Sequence, residues 1–348
     1  MSNLANSQRI SSSLWGIVLA GGDYNRLAPF IRKLRGDNLP KPFVNMIGKR
    51  SMLEHTFARA EKLIAPERLL AVVNRDHLKH AEARRQIGER LKDTVIVQPQ
   101  SRGSLAETLL ALLPIYHRDP LATVTLFPAD HFILDEDRFV SYLYLACRAV
   151  ERNPSAVVAL GTPATAANSG RGYIVADEEP KRLRGFGIRR VSSFVENPSE
   201  TAASALLERR ALWNTMAVVF KAFTLLDLSA RVAPTLHASI ERIGTVIGGR
   251  KEPNAAADTY RDLEPSDFSS ALLSHLPEAK PDSFLTLPVE RVLWSDWASP
   301  LEIVGVLTHA GYLGRANGLT ERHLFALWAK HRSQRERRPN KSDSVIRM

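Results

Sequence analysis

The sequence predicts an α/β protein: a mostly parallel central sheet flanked by helices and extended by a smaller antiparallel lobe. Three observations predict it. Short apolar runs alternate with helix-period segments over the first 160 residues. A glycine pair, Gly21-Gly22, follows the first of those runs, and from Gly172 onward short extended segments replace the alternation. Strands buried on both faces read as continuous apolar runs, and their alternation with helices is the pattern of a parallel sheet covered on both sides.

Residues 14–20 (LWGIVLA) read as the first strand, stopped by the glycines. Residues 51–64 suit an amphipathic helix, with Ser51 as N-cap and Glu54 three places on, the spacing of a capping box. Strand 69–73, helix 77–91, strand 94–97, helix 105–116, strand 122–127, helix 138–151 and strand 156–160 continue the alternation. Asp135-Glu136-Asp137 reads as the acidic start of the last of these helices. Residues 172–176 and 191–196 are expected as strands of the second lobe, followed by helix 202–210, strand 213–220 and a helical stretch 225–243. The Gly-, Pro-, Asn- and Asp-rich stretch 248–267 reads as a loop, 283–289 and 292–294 as closing strands, and 301–310 as a helix.

Hydrophobic residues make up 44% of the 348 positions and charged residues 24%, an ordinary soluble balance. One cysteine, Cys147, excludes an intrachain disulfide and reads as a buried apolar residue, which suits a reducing compartment. No apolar run approaches the roughly 18 residues of a membrane span, and the polar opening residues lack a signal-peptide core. The expected location is the cytoplasm, with no membrane or nucleic-acid partner. The net charge of +10 suits phosphorylated small molecules, and the basic run KHRSQRERR (330–338) reads as a solvated tail. His55, His77 and His80 lack the further ligands of a zinc site.

In open α/β sheets ligands bind beyond the carboxyl ends of the strands, and the conspicuous motifs sit there. LAGGDYNRLAP (19–29) and LPKPF (39–43) combine glycines, whose backbone N–H groups can approach a polyphosphate, with Arg26 and Lys41 to neutralise it. QPQSRGS (98–104), FPADHFI (127–133), GRGYI (170–174), FVENPS (194–199), LWNTM (212–216) and LWSDWASP (293–300) follow in order. This series resembles the sugar-phosphate nucleotidyltransferases, most closely their mannose-1-phosphate guanylyltransferase branch, over about residues 14–313. The resemblance implies a Rossmann-like, GT-A-like fold with a nucleotide-binding half (about 14–165) and a sugar-binding lobe (about 166–313). A C-terminal helix and a basic, partly disordered tail (314–348) are expected after it. The implied reaction is attack of a sugar 1-phosphate, mannose 1-phosphate first, on the α-phosphorus of an NTP, GTP first, giving NDP-sugar and pyrophosphate.

The resemblance also implies roles. Asp130 and Asp296 match the two carboxylates that hold Mg²⁺, and Arg26, Lys41 and Asp130 match the catalytic set. Leu19, Ala20, Gly21, Gly22, Gln98 and Gly103 match the nucleotide contacts. Gly172, Glu196 and Asn214 match the sugar contacts, and a homodimer is a possible assembly. The sequence departs from the pattern at Tyr24 and Asn25, where a glycine and a hydroxyl residue are usual, and at Asn197, where a lysine is usual. Met216, Trp297 and Ala298 are further departures. A left-handed backbone at position 24 would set a tyrosine Cβ against its surroundings. Arg171 is the expected substitute for the charge lost at Asn197. These departures leave open a second reading, a regulatory relative that binds nucleotide sugar without turnover. A GT-A glycosyltransferase would not explain P-K-P-F.

Overall fold

A computed structural model describes residues 13–177, 179–180, 183–244 and 260–311. The expected tail at 314–348 and most of the 248–267 loop lie outside the described residues.

Strands β1 (Leu14–Ala20), β2 (Leu69–Asn74), β3 (Val95–Gln98) and β4 (Thr123–Pro128) form the parallel half, in spatial order β3-β2-β1-β4. Strand β1 is buried at every position. Its Leu14, Val18 and Ala20 enter one core, and Trp15, Ile17 and Leu19 enter the core on the opposite face. A two-residue side-chain period thus feeds two layers, as expected of a doubly covered strand. One layer holds α2 (Met52–Ala60) and α5 (Glu136–Arg152); the other holds α4 (Gly103–Arg118), α7 (Ala222–Val232) and α8 (Pro234–Gly244).

The short strand β5 (Phe132–Ile133) leaves this sheet, and β6 (Val157–Pro163), β7 (Tyr173–Ala176), β8 (Arg189–Val195), β9 (Leu212–Lys221) and β10 (Phe284–Pro288) continue it as β9-β6-β10-β8-β7. Strand β9 runs antiparallel to both β4 and β6, while β6 and β10 are parallel. The parallel sheet is therefore interrupted once at its centre. The start of β9 also pairs with β7, Trp213 opposite Tyr173, which folds the antiparallel lobe back onto the main sheet.

Two expected helices are divided. Residues 77–91 break at His80, whose extended backbone (φ −83, ψ 127) separates a 3₁₀ turn, Arg75–Lys79, from α3 (Ala81–Gly88). Residues 225–243 break between α7 and α8 at Ala233-Pro234. Proline lacks the N–H that would continue a helix and biases the preceding residue away from helical dihedrals, and Ala233 sits at φ −137, ψ 58. Ser51 caps α2 in a complete capping box with Glu54. Asp135 caps α5 by accepting from the Arg138 N–H at 3.1 Å. Helices α1 (Ala28–Arg35), α6 (Glu200–Glu208), α9 (Phe268–Ala271), α10 (Leu276–Ala279) and α11 (Pro300–His309) complete the described set, and Cys147 is buried in the core. No helix among the described residues is long and apolar enough to cross a membrane.

Strand β11 (Trp294–Ser295) pairs only with β5 among the described residues, Trp294 opposite Ile133 and Ser295 opposite Phe132. This two-stranded ribbon carries the segment after Asp130 alongside the segment before Asp296, and so brings two acids far apart in sequence to one place.

Candidate active site

Three adjoining cavities, of about 420, 220 and 90 Å³, lie along the carboxyl ends of β1 and β4 and continue into the antiparallel lobe. Tyr24 and Asp130 wall the first two, His131 and Asp296 the last two, and Met216 the first and third. A separate cavity of about 730 Å³ behind His131 and Trp297 contains none of the predicted site residues.

The middle cavity is lined by Arg26, Lys41, Asp130, His131 and Asp296. Lys41 is held in a 3₁₀ turn, Lys41–Phe43, and is only 4% exposed. Its ammonium donates to Asp130 Oδ2 at 2.7 Å and to the backbone carbonyl of Asp296. Burial works to raise the Asp130 carboxyl, but Lys41 and His131 together hold it below the usual carboxylate range. Burial lowers His131, so its ring favours the neutral state although Asp130 and Asp296 pull the other way. Trp294 Nε1 donates to His131 Nδ1 at 3.3 Å, which fixes the ring. Arg26 is exposed at the mouth of this cavity.

Arg171 holds the other acid. Its Nη2 donates to Asp296 Oδ1 at 2.8 Å and to Glu302 Oε1 at 3.2 Å. Its guanidinium lies 4.2 Å from the ring centroid of Trp213 and 5.0 Å from that of Trp294, two cation–π contacts. Arg171 Nε and Nη1 are buried without a hydrogen-bond partner. Arg171 therefore shares the smallest of the three cavities with Gly172, Glu196 and Asn214, but it spends part of its charge on Asp296 and Glu302.

Glu196 Oε2 is also buried and unpartnered. Burial, helped by nearby Asp267, pushes its carboxyl up to about 7. A Cβ at Gly172 would lie 2.4 Å from that oxygen, so any larger residue there would displace the Glu196 carboxyl from its present position. Asn214 is committed within the protein, donating to Ser269 Oγ at 3.2 Å and accepting from the Met216 N–H at 3.0 Å.

At the other end of the cleft, Leu19, Gly22 and Gly103 line the largest of the three cavities with Ser101, Ser104 and Glu107. Gly103 opens α4 at φ +84, and a Cβ there would meet the Ser266 carbonyl oxygen at 2.3 Å. Ala20, Gly21 and Gln98 stand behind the lining. Gln98 is 1% exposed; its Nε2 donates to the Gly21 carbonyl at 2.8 Å and its Oε1 accepts from the Tyr260 hydroxyl at 3.3 Å. Its amide reaches the cavity only by shaping the Gly21 loop.

Three residues in positions where the motif usually has glycine, or beside one, keep a left-handed backbone: Tyr24 (φ 51), Met216 (φ 56) and Trp297 (φ 46). Asn197 does the same at φ 48. The tyrosine at 24 is thus accommodated, its ring turned over the loop with the hydroxyl 3.4 Å from the Leu19 carbonyl.

Sequence reasoning passed over Glu107, Glu302 and His131. Glu107 is buried in α4 and accepts the Gly21 N–H at 2.7 Å. The signal was present: it is the one charged residue between Gly103 and Tyr116, on an otherwise apolar helix. Glu302 reaches Arg171 from an element far along the chain, and no local pattern marked it.

Residues 15–244, well over half of the chain, match the nucleotidyl transferase family. The chain is 28% identical over 302 residues to the xanthan biosynthesis protein XanB of Xanthomonas campestris pv. campestris, covering 84% of this chain and 60% of that protein. It is 30% identical over 233 residues to mannose-1-phosphate guanylyltransferase RfbM of Salmonella typhimurium, covering 65% of this chain and 46% of RfbM. It thus spans less than two thirds of the length of these relatives. Its fold matches the crystal structure of mannose-1-phosphate geranyltransferase from Thermus thermophilus with a TM-score of 0.71 and 25% identity, over 85% of this chain and 79% of that one. The α/β sheet, the glycine loop at its carboxyl edge and the matched residues agree, and the chain belongs to the nucleotidyl transferase family.

Proposed function

We propose that this chain transfers a nucleotidyl group from an NTP to a sugar 1-phosphate, with GTP and mannose 1-phosphate as the pair, releasing pyrophosphate. One observation carries the reading: Asp130 and Asp296 line a single cavity in which one ammonium, that of Lys41, touches both segments. The name of RfbM supplies the choice of sugar and base.

The same observation tests the residues against Mg²⁺. The Lys41 ammonium already sits against the Asp130 carboxylate and the Asp296 backbone carbonyl, and Mg²⁺ takes one or two carboxylates with phosphate oxygens and water completing its shell. Asp130 and Asp296 would hold the ion, which when bound offsets negative charge on the reacting phosphate.

The chain's own residues do the rest. Gly22 and Gly103 give the nucleotide close backbone approach. Lys41 leaves its carboxylate partner for the α-phosphate, whose non-bridging oxygens gain charge as the bond forms. Arg26, exposed at the mouth, meets the departing pyrophosphate. Arg171 offers its unpartnered Nε and Nη1 to the sugar phosphate, in place of the charge missing at Asn197, and Glu196 accepts from sugar hydroxyls. The attacking oxygen is already anionic, so no general base is required; orientation and charge complementarity supply the acceleration.

Tyr24, whose ring walls two of the three cavities, favours a second reading: nucleotide-sugar binding without turnover. Pyrophosphate release measured over a matrix of NTPs and sugar 1-phosphates with Mg²⁺ separates them. Turnover with GTP and mannose 1-phosphate supports transfer. Binding of GDP-mannose with no release from any pair overturns it in favour of the second reading.

A further inference from the structure

We propose that Glu107 selects the nucleobase, its carboxylate accepting from a base edge that carries two adjacent N–H donors, as guanine does. The inference rests on the nucleotidyl-transfer reading and adds the residue that would choose the base.

Glu107 lies in the first turns of α4, in the wall of the 420 Å³ cavity, and that cavity is bounded by Leu19, Gly22, Gly103 and the hydroxyl residues Ser101 and Ser104. The residue is 3% exposed, so water contributes little to its solvation and an incoming donor gains most of the interaction. No lysine or arginine lines this cavity, whose walls also carry Asp23, Asp130 and Asp267; Lys41, Arg26 and Arg171 line the two cavities beyond Asp130. The triphosphate belongs with those cations, which leaves the base for the Glu107 end.

The carboxyl is held in place. The Gly21 N–H donates to Oε1 at 2.7 Å, and Gln98 fixes the other side of the same residue by donating to the Gly21 carbonyl at 2.8 Å. Glu107 is thus braced as an acceptor by the glycine loop that would cradle the nucleotide. Guanine presents N1–H and the 2-amino group side by side, and a carboxylate accepts both. Uracil and thymine present one N–H between two carbonyls, which would face the carboxylate oxygens with like charge. Adenine offers an amino group beside a ring-nitrogen lone pair, with the same conflict.

Among the described residues, the groups that act on Glu107 do not include a cation. Asp130, Tyr24 and Tyr260 lie nearest electrostatically, and burial pushes the Glu107 carboxyl up to about 8 against the pull of the Gly21 and Ala20 N–H groups. Two further donors from a base would draw that proton off, so binding of guanine is coupled to release of a proton.

The test uses GTP, ITP, which lacks only the 2-amino group, and ATP as probes on the full chain, with the wild type and Glu107→Gln. Dissociation constants are measured by calorimetry and turnover by pyrophosphate release with mannose 1-phosphate. Charge-assisted hydrogen bonds of this kind predict that the wild type binds GTP about 10- to 100-fold more tightly than ITP. In Glu107→Gln, whose amide oxygen can still accept from Gly21, that ratio falls to within about threefold of unity, and the ATP constant changes least. Equal GTP and ITP affinity in the wild type overturns the inference without any variant. An unchanged ratio in a folded Glu107→Gln overturns it as well. Glu107-dependent GTP selectivity without pyrophosphate release from any pair would sustain the inference and sink the transfer reaction.

Discussion

On the parallel half of the sheet, Lys41 reaches Asp130 as a single ammonium on a flexible stem. On the antiparallel lobe, Arg171 reaches Asp296 as a planar fork packed against Trp213 and Trp294 and tied to Glu302. Asp130 and Asp296 are each paired with a base before any ligand arrives, although Arg171 is shared with Glu302. The difference lies in what each base can release. Lysine rotates and has three donors to redistribute. The arginine is locked by its stacking and keeps Asp296 while still carrying two unpartnered donors. One side of the cleft is built to exchange partners, the other to stay fixed and add one.

Breaking either acid tests this most severely. Asp130→Ala and Asp296→Ala should each lower kcat at least about 10³-fold, the range seen when transition-state charge stabilisation is removed, read by pyrophosphate release at saturating substrates. Equal residual activity in the two variants would weaken the contrast between the sides. Arg171→Ala should raise the KM for the sugar 1-phosphate about 10- to 100-fold through loss of charge-assisted hydrogen bonds. It should also lower stability by about 2–3 kcal/mol, because Asp296 and Glu302 lose their shared cation. Arg171→Lys should restore part of the stability and little of the KM, since lysine cannot reproduce the stacked fork. A full KM rescue by lysine would show that charge alone matters.

The buried acids sharpen the comparison through pH. Glu107 and Glu196 have folded values raised to about 8 and about 7, above their unfolded range. The native state then holds more protons than the unfolded chain from about pH 4.5 upward, so stability falls as pH rises toward about 8. Glu107→Gln should remove a decline on the order of a few kcal/mol, seen as a flatter profile of thermal unfolding between about pH 5 and about pH 8.5. A profile as steep as the wild type would count against a buried, proton-bearing Glu107. At Gly103, substitution by alanine combines a positive φ with a Cβ set against the Ser266 carbonyl, and a loss of about 1–3 kcal/mol is expected by denaturant unfolding.

Much of the fold was legible because strong local signals agreed with the tertiary outcome. The apolar run at 14–20 and the Ser51–Glu54 capping box formed as read, and the acids at 135–137 do open a helix, which starts at Glu136 with Asp135 as its cap. The helix breaks at His80 and Pro234 were less visible, since apolar spacing continues across both and only backbone chemistry interrupts it. The antiparallel insertion of β9 depends on its partners and left no mark in its own residues. At the site, ordered motifs brought Lys41, Asp130, Asp296, Arg171 and Glu196 to one cleft. They could not indicate that Gln98 is spent on Gly21 and Tyr260, nor that Glu107 and Glu302 complete the wiring, because those contacts join segments distant in sequence.

Tyr24, Met216 and Trp297 hold a backbone shape that glycine adopts at no steric cost. Each of these side chains could therefore be trimmed away without asking the main chain to move. Such trimming would relieve about 1 kcal/mol of strain per site, set against the contacts the ring or thioether now makes. The three positions form a natural set of dials for pocket size. A chain carrying Tyr24→Gly and Met216→Gly together would keep its loops while enlarging the three cavities that these side chains wall, a way to widen the cleft by subtraction.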